Sequence, residues 1–560
     1  MNKFKFNILT LGVAAMVGLS ACSDSFLDVS SKTDSDTDSF YKTEADAWRA
    51  LLGCYDGWRK ISSCPGIGFY VASTVMSDET YGGSGVPDDR KYQMIDRFDR
   101  AESQSTMSVY EADWKAYYAA VYRCNMLISK ESQIQWLNDD VHARYMGECR
   151  ALRAILYFDM VRLWGNIPLF LEPVNENRSQ ADPAEVYAAI FEDLKYAAAN
   201  IPADAGFKDG SMVEAESGRV TKYAAEALLA RAYLFYAGYY GKEPGFTDAE
   251  GNTTGTFTKA EALAAVEDVI NSGYYGLLSD FATLWPASSL VPIPGEVGWD
   301  AEKSTYAGDA NKEILLAQKF TPTQDYNGND DSNRWLVMMG MRKINASPYG
   351  KGWGACTVCP SYLKLFPSND KRMVPSVIDL QKEGVVAEAD YEAGYKDWRE
   401  YTGYTVKKYS PLCYGNGSPG TNADGTAGFQ ECNPQQWVIV RYADVLLMAA
   451  ELGSPKAADY MHLIRDRAGL SDIPVTKDNI MAERARELAF EGIRYWDLLR
   501  QGLDVAADAI VASAGTVYNG GIEAEVTFKR EKIIETKGLS QIPQNQITLS
   551  NGVLKQNTGW

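Results

Sequence analysis

Residues Arg486 to Arg500 read RELAFEGIRYWDLLR, which sets Glu487, Glu491, Arg494, Asp497 and Arg500 among bulky apolar neighbours. Acids and bases in such surroundings are the raw material of general acid–base chemistry, because burial drives the pKa values of neighbouring carboxylates apart. A glycosidase would use two of them, flanking a scissile bond. With 74 acidic residues in the chain many such pairs can be drawn, so none is singled out. Read as a helix, Glu491, Arg494 and Asp497 fall three apart, the spacing of exposed or half-buried ion pairs. Leu488, Tyr495 and Leu499 then line a packed side, and Gly492 admits a close neighbour. That reading makes the stretch scaffold.

Thiol exchange is a second chemistry to weigh. Cys356 and Cys359 form a lone C-x-x-C in GACTVCP. No second pair completes a zinc site and no thioredoxin-like βαβ pattern surrounds it, so a local disulfide or two ordinary thiols is expected before an oxidoreductase. Cys54 with Cys64 and Cys413 with Cys432 are further pairings that spacing leaves open. Two histidines are too few for a His-based metal centre or triad, and His142 and His462 are each expected to be buried. The segment DAEGNTTG (248–255) hints at a calcium loop, but Lys259 stands where an EF-hand needs Glu, so a turn between short strands is expected. No cofactor and no metal-ligand set is assigned, although the Asp-rich loops could hold a structural calcium ion. Nucleophile-elbow, P-loop and zincin motifs are missing from the sequence.

Binding is the third. Sugar rings stack their C–H faces on flat aromatics while Asp, Asn, Gln and Arg meet the hydroxyls, and a few such polar groups fix orientation in a mostly apolar site. Two Gly-rich segments combine those residue types. SDETYGGSGVPDDRKYQ (77–93) carries Asp78, Glu79, Tyr81, Asp88, Asp89, Arg90 and Tyr92, and Gly82, Gly83 and Gly85 there would let backbone approach a ligand. The second group is Trp285, Tyr326, Asn327, Asn333, Arg334, Trp335, Tyr349 and Trp353. The candidate ligand-binding residues are Asp78, Glu79, Tyr81, Arg90, Tyr92, Trp285, Tyr326, Trp335, Tyr349 and Trp353.

The elements that must position these residues are mainly helices. Thr43 is a good N-cap for EADAWRALLGCYDGW. Helical patterns follow over 112–128, 141–164, 183–200, 222–239 and 259–272, and again over 442–450, 455–468 and 480–499. ALRAILYFDMVRLW is apolar nearly all round and must be buried on several sides. Alanine at the crossing positions lets consecutive helices approach closely, as tetratricopeptide-like pairs do. The fold class read here is mostly α: four such pairs in a superhelical scaffold, a loop-rich irregular half and a few short β-hairpins. Scaffold occupies mainly 40–275 and 437–502. Between them, about 276–436 is rich in Gly, Pro, Asn and aromatics, and so long a loop region implies a binding surface. GTVYNGGIEAEVTFKR alternates around Asn519-Gly520 and reads as a hairpin.

Composition narrows the partners. A hydrophobic content of 46% supports a large core, and a net charge of −19 argues against nucleic acid, which needs a basic stripe. Residues 1–21 read as an export signal, with Lys3 and Lys5 ahead of an apolar run too short to span a membrane. LSAC places Cys22 at the acceptor position of a lipobox, so lipidation of Cys22 and an outer anchor are expected. Cleavage would remove two Lys and no acid, taking the charge from −19 to −21. Residues 22–39 form an acidic, aperiodic tether, and 40–560 a single domain.

Several blocks then carry a resemblance. The lipobox followed by FLD, ECRALRAILYFDMVRLWGNIPLF, GRVTKYAAEALLARAYLFYAG, VIVRYADVLLMAAE, ERARELAFEGIRYWDLLRQG and the ending IPQNQITLSNGVLKQNTGW occur in that order. The chain resembles the SusD/RagB family of outer-membrane nutrient-uptake lipoproteins, nearly end to end. That resemblance implies a non-catalytic, surface-exposed lipoprotein that captures oligosaccharide and delivers it to a SusC-like TonB-dependent transporter. It implies a site built from an early loop and the middle loops. Relatives that take peptides or another nutrient make a different ligand the alternative, and a glycosidase stands behind both.

Overall fold

The computed structural model describes residues 40–63, 66–104, 108–247, 253–292, 294, 299–322, 331–344, 348–383, 395–413, 430 and 433–560. Helices dominate it. In chain order they include α1 (Glu44–Ser63), α2 (Phe69–Val75), α3 (Lys91–Asp96), α4 (Glu111–Lys130), α5 (Asp139–Trp164), α6 (Pro183–Asn200), α7 (Lys222–Tyr240), α8 (Lys259–Asn271), α9 (Arg334–Met339), α10 (Tyr442–Leu452), α11 (Ala457–Arg467), α12 (Lys477–Glu487), α13 (Arg494–Leu499) and α14 (Leu503–Ala512).

Local sequence sets their starts. The Asn138 side chain accepts the Asp140 and Val141 N–H groups at the head of α5, and Asp182 accepts that of Ala184 ahead of Pro183 on α6. Thr258 and Glu261 form a reciprocal capping box on α8. Packing then joins the helices in series. α1 lies against α4, α5 against α6, α7 against α8 and α10 against α11, while α6–α7 and α8–α10 contacts link these neighbours into one body. Every residue of α5 from Ala151 to Trp164 is buried, as its all-round apolarity requires. On α7, Ala224, Ala225, Ala227, Ala230 and Ala232 are all fully buried, and their small side chains permit the close crossings.

Strands are short. The largest sheet has β1 (Thr80–Gly83) at one edge, and β2 (Ile314–Gln318) lies apart from it. β3 (Ala355–Val358), β4 (Val377–Asp379) and β5 (Tyr404–Val406) complete the sheet in the order β1-β3-β5-β4, all antiparallel. β2 pairs instead with β6 (Trp437–Arg441). β7 (Gly515–Asn519) and β8 (Ile522–Val526) form the expected hairpin around Gly520-Gly521. Around the DAEGNTTG segment (248–255), Gly245–Thr247 pairs with Thr253–Thr256, while 248–252 lie outside the described residues.

Two expectations need correction, and for the C-x-x-C pair one of the two expected outcomes holds, ordinary thiols. The helix expected over 480–499 is two helices, α12 and α13, because Phe490 (φ 60°) and Gly492 (φ 75°) take left-handed backbone. A Cβ on Gly492 would also stand 3.1 Å from the Tyr70 ring. Neither histidine is buried: the His142 side chain is 33% exposed and stacks on Trp136, and that of His462 is 56% exposed beside Asp472. Cys356 and Cys359 are free, fully buried thiols, and burial pushes both above the ordinary thiol range, so neither offers a reactive thiolate. Cys64 and Cys432, the partners open to Cys54 and Cys413, lie outside the described residues, as does Cys22.

Candidate functional site

The acid–base cluster at 486–500 is a buried ion network in which the carboxylates are paired with guanidinium and ammonium groups. Arg441 binds Glu491 at 2.8 Å, Glu487 at 2.6 Å and Glu313 at 3.0 Å. Arg372 reaches Asp370 at 2.7 Å, Glu483 at 2.7 Å and Glu487 at 3.0 Å. Lys408 meets Glu491 at 2.8 Å, and burial brings its pKa down to about 8. Burial alone would raise the Glu487 pKa. The Arg467, Arg441 and Arg372 guanidiniums outweigh it and hold that carboxyl well below the usual range. Asp497 is clamped between Arg484 at 2.7 Å and Arg500 at 2.9 Å. The spacing predicts exposed or half-buried pairs along one helix; the pairs are buried, and most of them join different elements. The break before α13 turns Glu491, Arg494 and Asp497 toward three different partners, and the cavity of about 40 Å³ beside Glu491 and Asp497 is too small for a substrate.

The early loop divides in two. Its first half is structural. The Asp78 carboxylate takes two bonds from Arg494, at 2.9 and 2.8 Å. Glu79 is fully buried and accepts the Phe490 N–H at 2.6 Å, and burial, with Asp78 beside it, raises its pKa to about 8. Tyr81 lies in the sheet, 1% exposed, and donates to the Ser513 carbonyl at 2.6 Å. All three are engaged by protein groups. Gly83 does allow close approach, but of protein: a Cβ there would sit 2.3 Å from the Gly354 carbonyl of the neighbouring strand connection.

Its second half forms the wall of a cleft of about 370 Å³ lined by Ser84, Asp88, Asp89, Lys91, Tyr92, Arg342 and Trp353. The loop is pinned from behind. Arg399 donates to the carbonyls of Val86 at 2.7 Å and Asp88 at 2.8 Å, and the Val86 N–H reaches the Asp397 carbonyl at 2.8 Å. Arg342 bridges Asp397 at 2.7 Å and Asp88 at 3.0 Å. The Ser103 hydroxyl donates to Asp89. Trp353 is half-buried, its N–H bound to the Val337 carbonyl at 2.7 Å and the Arg334 guanidinium 5.5 Å from its ring centre. Lys91 has no ion-pair partner among the described residues, and burial lowers its pKa. The Ser84 and Tyr92 hydroxyls are buried and have no partner among the described residues. A rigid wall with an aromatic face, charged edges and two unused hydroxyls suits a neutral polyhydroxyl ligand.

Of the other aromatics expected here, three belong to the interior. Trp285 is 1% exposed and lies against the network, 4.4 Å from Lys408 and 5.7 Å from Arg441. Trp335 stacks on Tyr70 with ring centres 4.1 Å apart. Tyr349 is fully buried and donates to Glu383 at 2.8 Å. Asn333 is buried ahead of α9. Arg90 is exposed and ion-paired with Glu102, outside the cleft lining. Tyr326 and Asn327 lie outside the described residues. Sequence reasoning missed Ser84, Lys91 and Arg342. The first two sit within the quoted loop, whereas nothing in the local sequence marks Arg342.

With that geometry in place, likeness to known proteins becomes decisive. Residues 379–560 match the SusD family, and residues 25–234 match the family described as "Starch-binding associating with outer membrane". The chain belongs to the SusD family. Together the two matches span more than half of it. Among relatives, SusD-like protein P38 of Formosa agariphila is 23% identical over 539 residues, covering 89% of this chain and 92% of its own. A SusD-like protein of Bacteroides ovatus is 24% identical over 418 residues, 69% of this chain and 64% of the relative. Of solved structures, a laminarin binding SusD-like protein superposes with a TM-score of 0.70 at 24% identity, covering 93% of this chain and 100% of the other. Surface glycan-binding protein A from Bacteroides thetaiotaomicron, in complex with laminarihexaose, gives 0.70 at 23% identity with the same coverage. The helix-rich SusD fold is thus shared along nearly the whole chain.

Proposed function

We propose that this SusD-family protein is a non-catalytic glycan-binding lipoprotein of the outer membrane, anchored through Cys22 and exposed at the cell surface, which captures oligosaccharide in the Ser84–Trp353 cleft. It passes the ligand to a SusC-like TonB-dependent transporter. The observation that carries the reading is the pair of buried hydroxyls of Ser84 and Tyr92, without partners among the described residues, in one wall with the Trp353 ring. Ring faces stack on the indole, and ring hydroxyls take up the unused hydrogen-bonding capacity together with Lys91 and Arg342. Family membership and the glycan-binding neighbours favour sugar over peptide. The cleft carboxylates support the non-catalytic part: Asp88 accepts the Gly85 N–H at 2.8 Å and pairs with Arg342, and Asp89 accepts from Ser103, so both hold the loop.

Isothermal titration of the full chain, lacking only residues 1–21, against a glycan panel that includes laminarihexaose is the test. We expect binding to at least one glycan, lost in Trp353→Ala, and no release of shorter products during incubation. Product release abolished by changing a single carboxylate would overturn the non-catalytic reading. Wild-type-like binding by Trp353→Ala would overturn the site.

A further inference from the structure

Cysteines far apart in sequence meet inside the helical half. Cys54 on α1, Cys124 on α4 and Cys149 on α5 are all fully buried. Their three sulfurs lie within 4.8 Å of one another, and those of Cys54 and Cys149 are 4.0 Å apart. None of the three forms a disulfide among the described residues. A buried cysteine ordinarily packs as a small apolar side chain with a weak S–H donor, and Cys149 donates to the Cys124 carbonyl at 3.5 Å. Here three helices deliver three sulfurs to one point.

The spacing suits a metal. Three sulfurs in a plane, each about 2.3 Å from a common centre, stand about 4.0 Å apart. No fourth Cys, His, Asp or Glu donor joins the group among the described residues. A closed structural zinc site takes four ligands, whereas an all-thiolate set selects soft ions, Cu(I) among them. We propose that Cys54, Cys124 and Cys149 form a buried three-sulfur site for Cu(I).

One cation stands beside the three sulfurs. The Arg153 guanidinium is held beside the site by Asp193 at 2.7 Å and by Asn125, the neighbour of Cys124, at 2.8 Å. Its positive charge acts on both Cys124 and Cys149. Each thiol that ligates as a thiolate releases one proton to solvent, so uptake strengthens as pH rises. Burial on every side means that the ion enters as α1 packs onto α4 and α5, or through local opening of α1. Once seated, it cross-links α1, α4 and α5 across nearly a hundred residues and stabilises the helical scaffold.

The test uses the full chain, without residues 1–21, and Cu(I) held anaerobically by a chromogenic chelator. We expect one Cu(I) per chain to be withdrawn from the chelator, with more withdrawn at pH 8 than at pH 6. X-ray absorption should then show three sulfur neighbours and a raised melting temperature should accompany loading. Cys124→Ala and Cys149→Ala should drop the stoichiometry from one to zero, with circular dichroism confirming that each is folded. The double variant Cys356→Ala with Cys359→Ala should still bind one. Should either single variant fail to fold, the wild-type sulfur count from X-ray absorption decides the matter alone. Folded wild-type protein that takes up no Cu(I), uptake retained by both single variants, or a Cys54–Cys149 disulfide in the purified protein would overturn the site.

Discussion

The buried network around Arg441 and the cleft around Trp353 use the same residue types to opposite ends. In the network, Glu313, Glu487 and Glu491 converge on one guanidinium, and Lys408 joins from the side. In the cleft, Asp88 and Arg342 pair at the edge while the Ser84 and Tyr92 hydroxyls stay unpartnered among the described residues. Charge density does not mark the working site. In the network the carboxylates are spent on one another's cations, whereas in the cleft two hydroxyls beside an aromatic face have hydrogen-bonding capacity to give.

The largest effect should come from breaking the network. Arg441→Met leaves Glu313, Glu487 and Glu491 short of a partner in the interior, and stranding a buried charge costs about 3–5 kcal/mol. Urea denaturation should show that loss, while the folded fraction binds glycan normally; an unchanged midpoint would mean that the network contributes nothing net. Titration sharpens the contrast. Glu487 is depressed in the fold, so its contribution is present above its unfolded value of 4.5 and is lost as pH falls below it. Glu79 is raised to about 8, so ionising it opposes folding, and stability falls as pH rises from 4.5 toward 8. Glu79→Gln should flatten that fall, gaining stability at pH 8 and little at pH 5 in urea melts. A pH profile that keeps its wild-type slope would remove Glu79 as the cause.

Next comes the contrast between two tryptophans that look alike in sequence. Trp335→Ala empties a core position against Tyr70 and should cost about 3–5 kcal/mol of stability with little change in affinity per folded molecule. Trp353→Ala should do the reverse, costing affinity about 2 kcal/mol, roughly 30-fold, with a small change in melting temperature. Calorimetry and thermal melts on both variants check the pair. Equal affinity losses would show that the cleft extends to Trp335.

What the sequence made legible divides along the same line. The helix over 183–200 was read at its observed bounds, and those over 222–239 and 259–272 within a residue, because caps and apolar period are local. Strand pairing is not local. β1 meets β3 across some 270 residues, so nothing near Tyr81 announces that it lies inside a sheet, and flanking glycines made it look like loop. Likewise, Trp285 and Trp353 stand in similar loop contexts, and only the three-dimensional path separates a ring pressed against Lys408 from one at a cleft. The network was misjudged for a related reason. Three-residue spacing predicts partners within one helix, and the Phe490 and Gly492 backbone turns those side chains toward Asp78, Arg441 and Arg484 instead.

The smallest effect is the most discriminating. Tyr92→Phe removes one hydroxyl and leaves the buried ring in place. If that hydroxyl served the fold, its loss would cost stability, yet it has no partner among the described residues. Deleting an unsatisfied buried polar group is neutral or stabilising, so urea melts should show no loss. Affinity should weaken by about 0.5–1.5 kcal/mol, roughly 2- to 12-fold, the worth of one neutral hydrogen bond. An affinity loss without a stability loss would establish that the spare capacity in this wall is kept for a ligand. A stability loss with unchanged affinity would place the hydroxyl in the scaffold beside Tyr81, and the cleft would then rest on Trp353 and its charged edge alone.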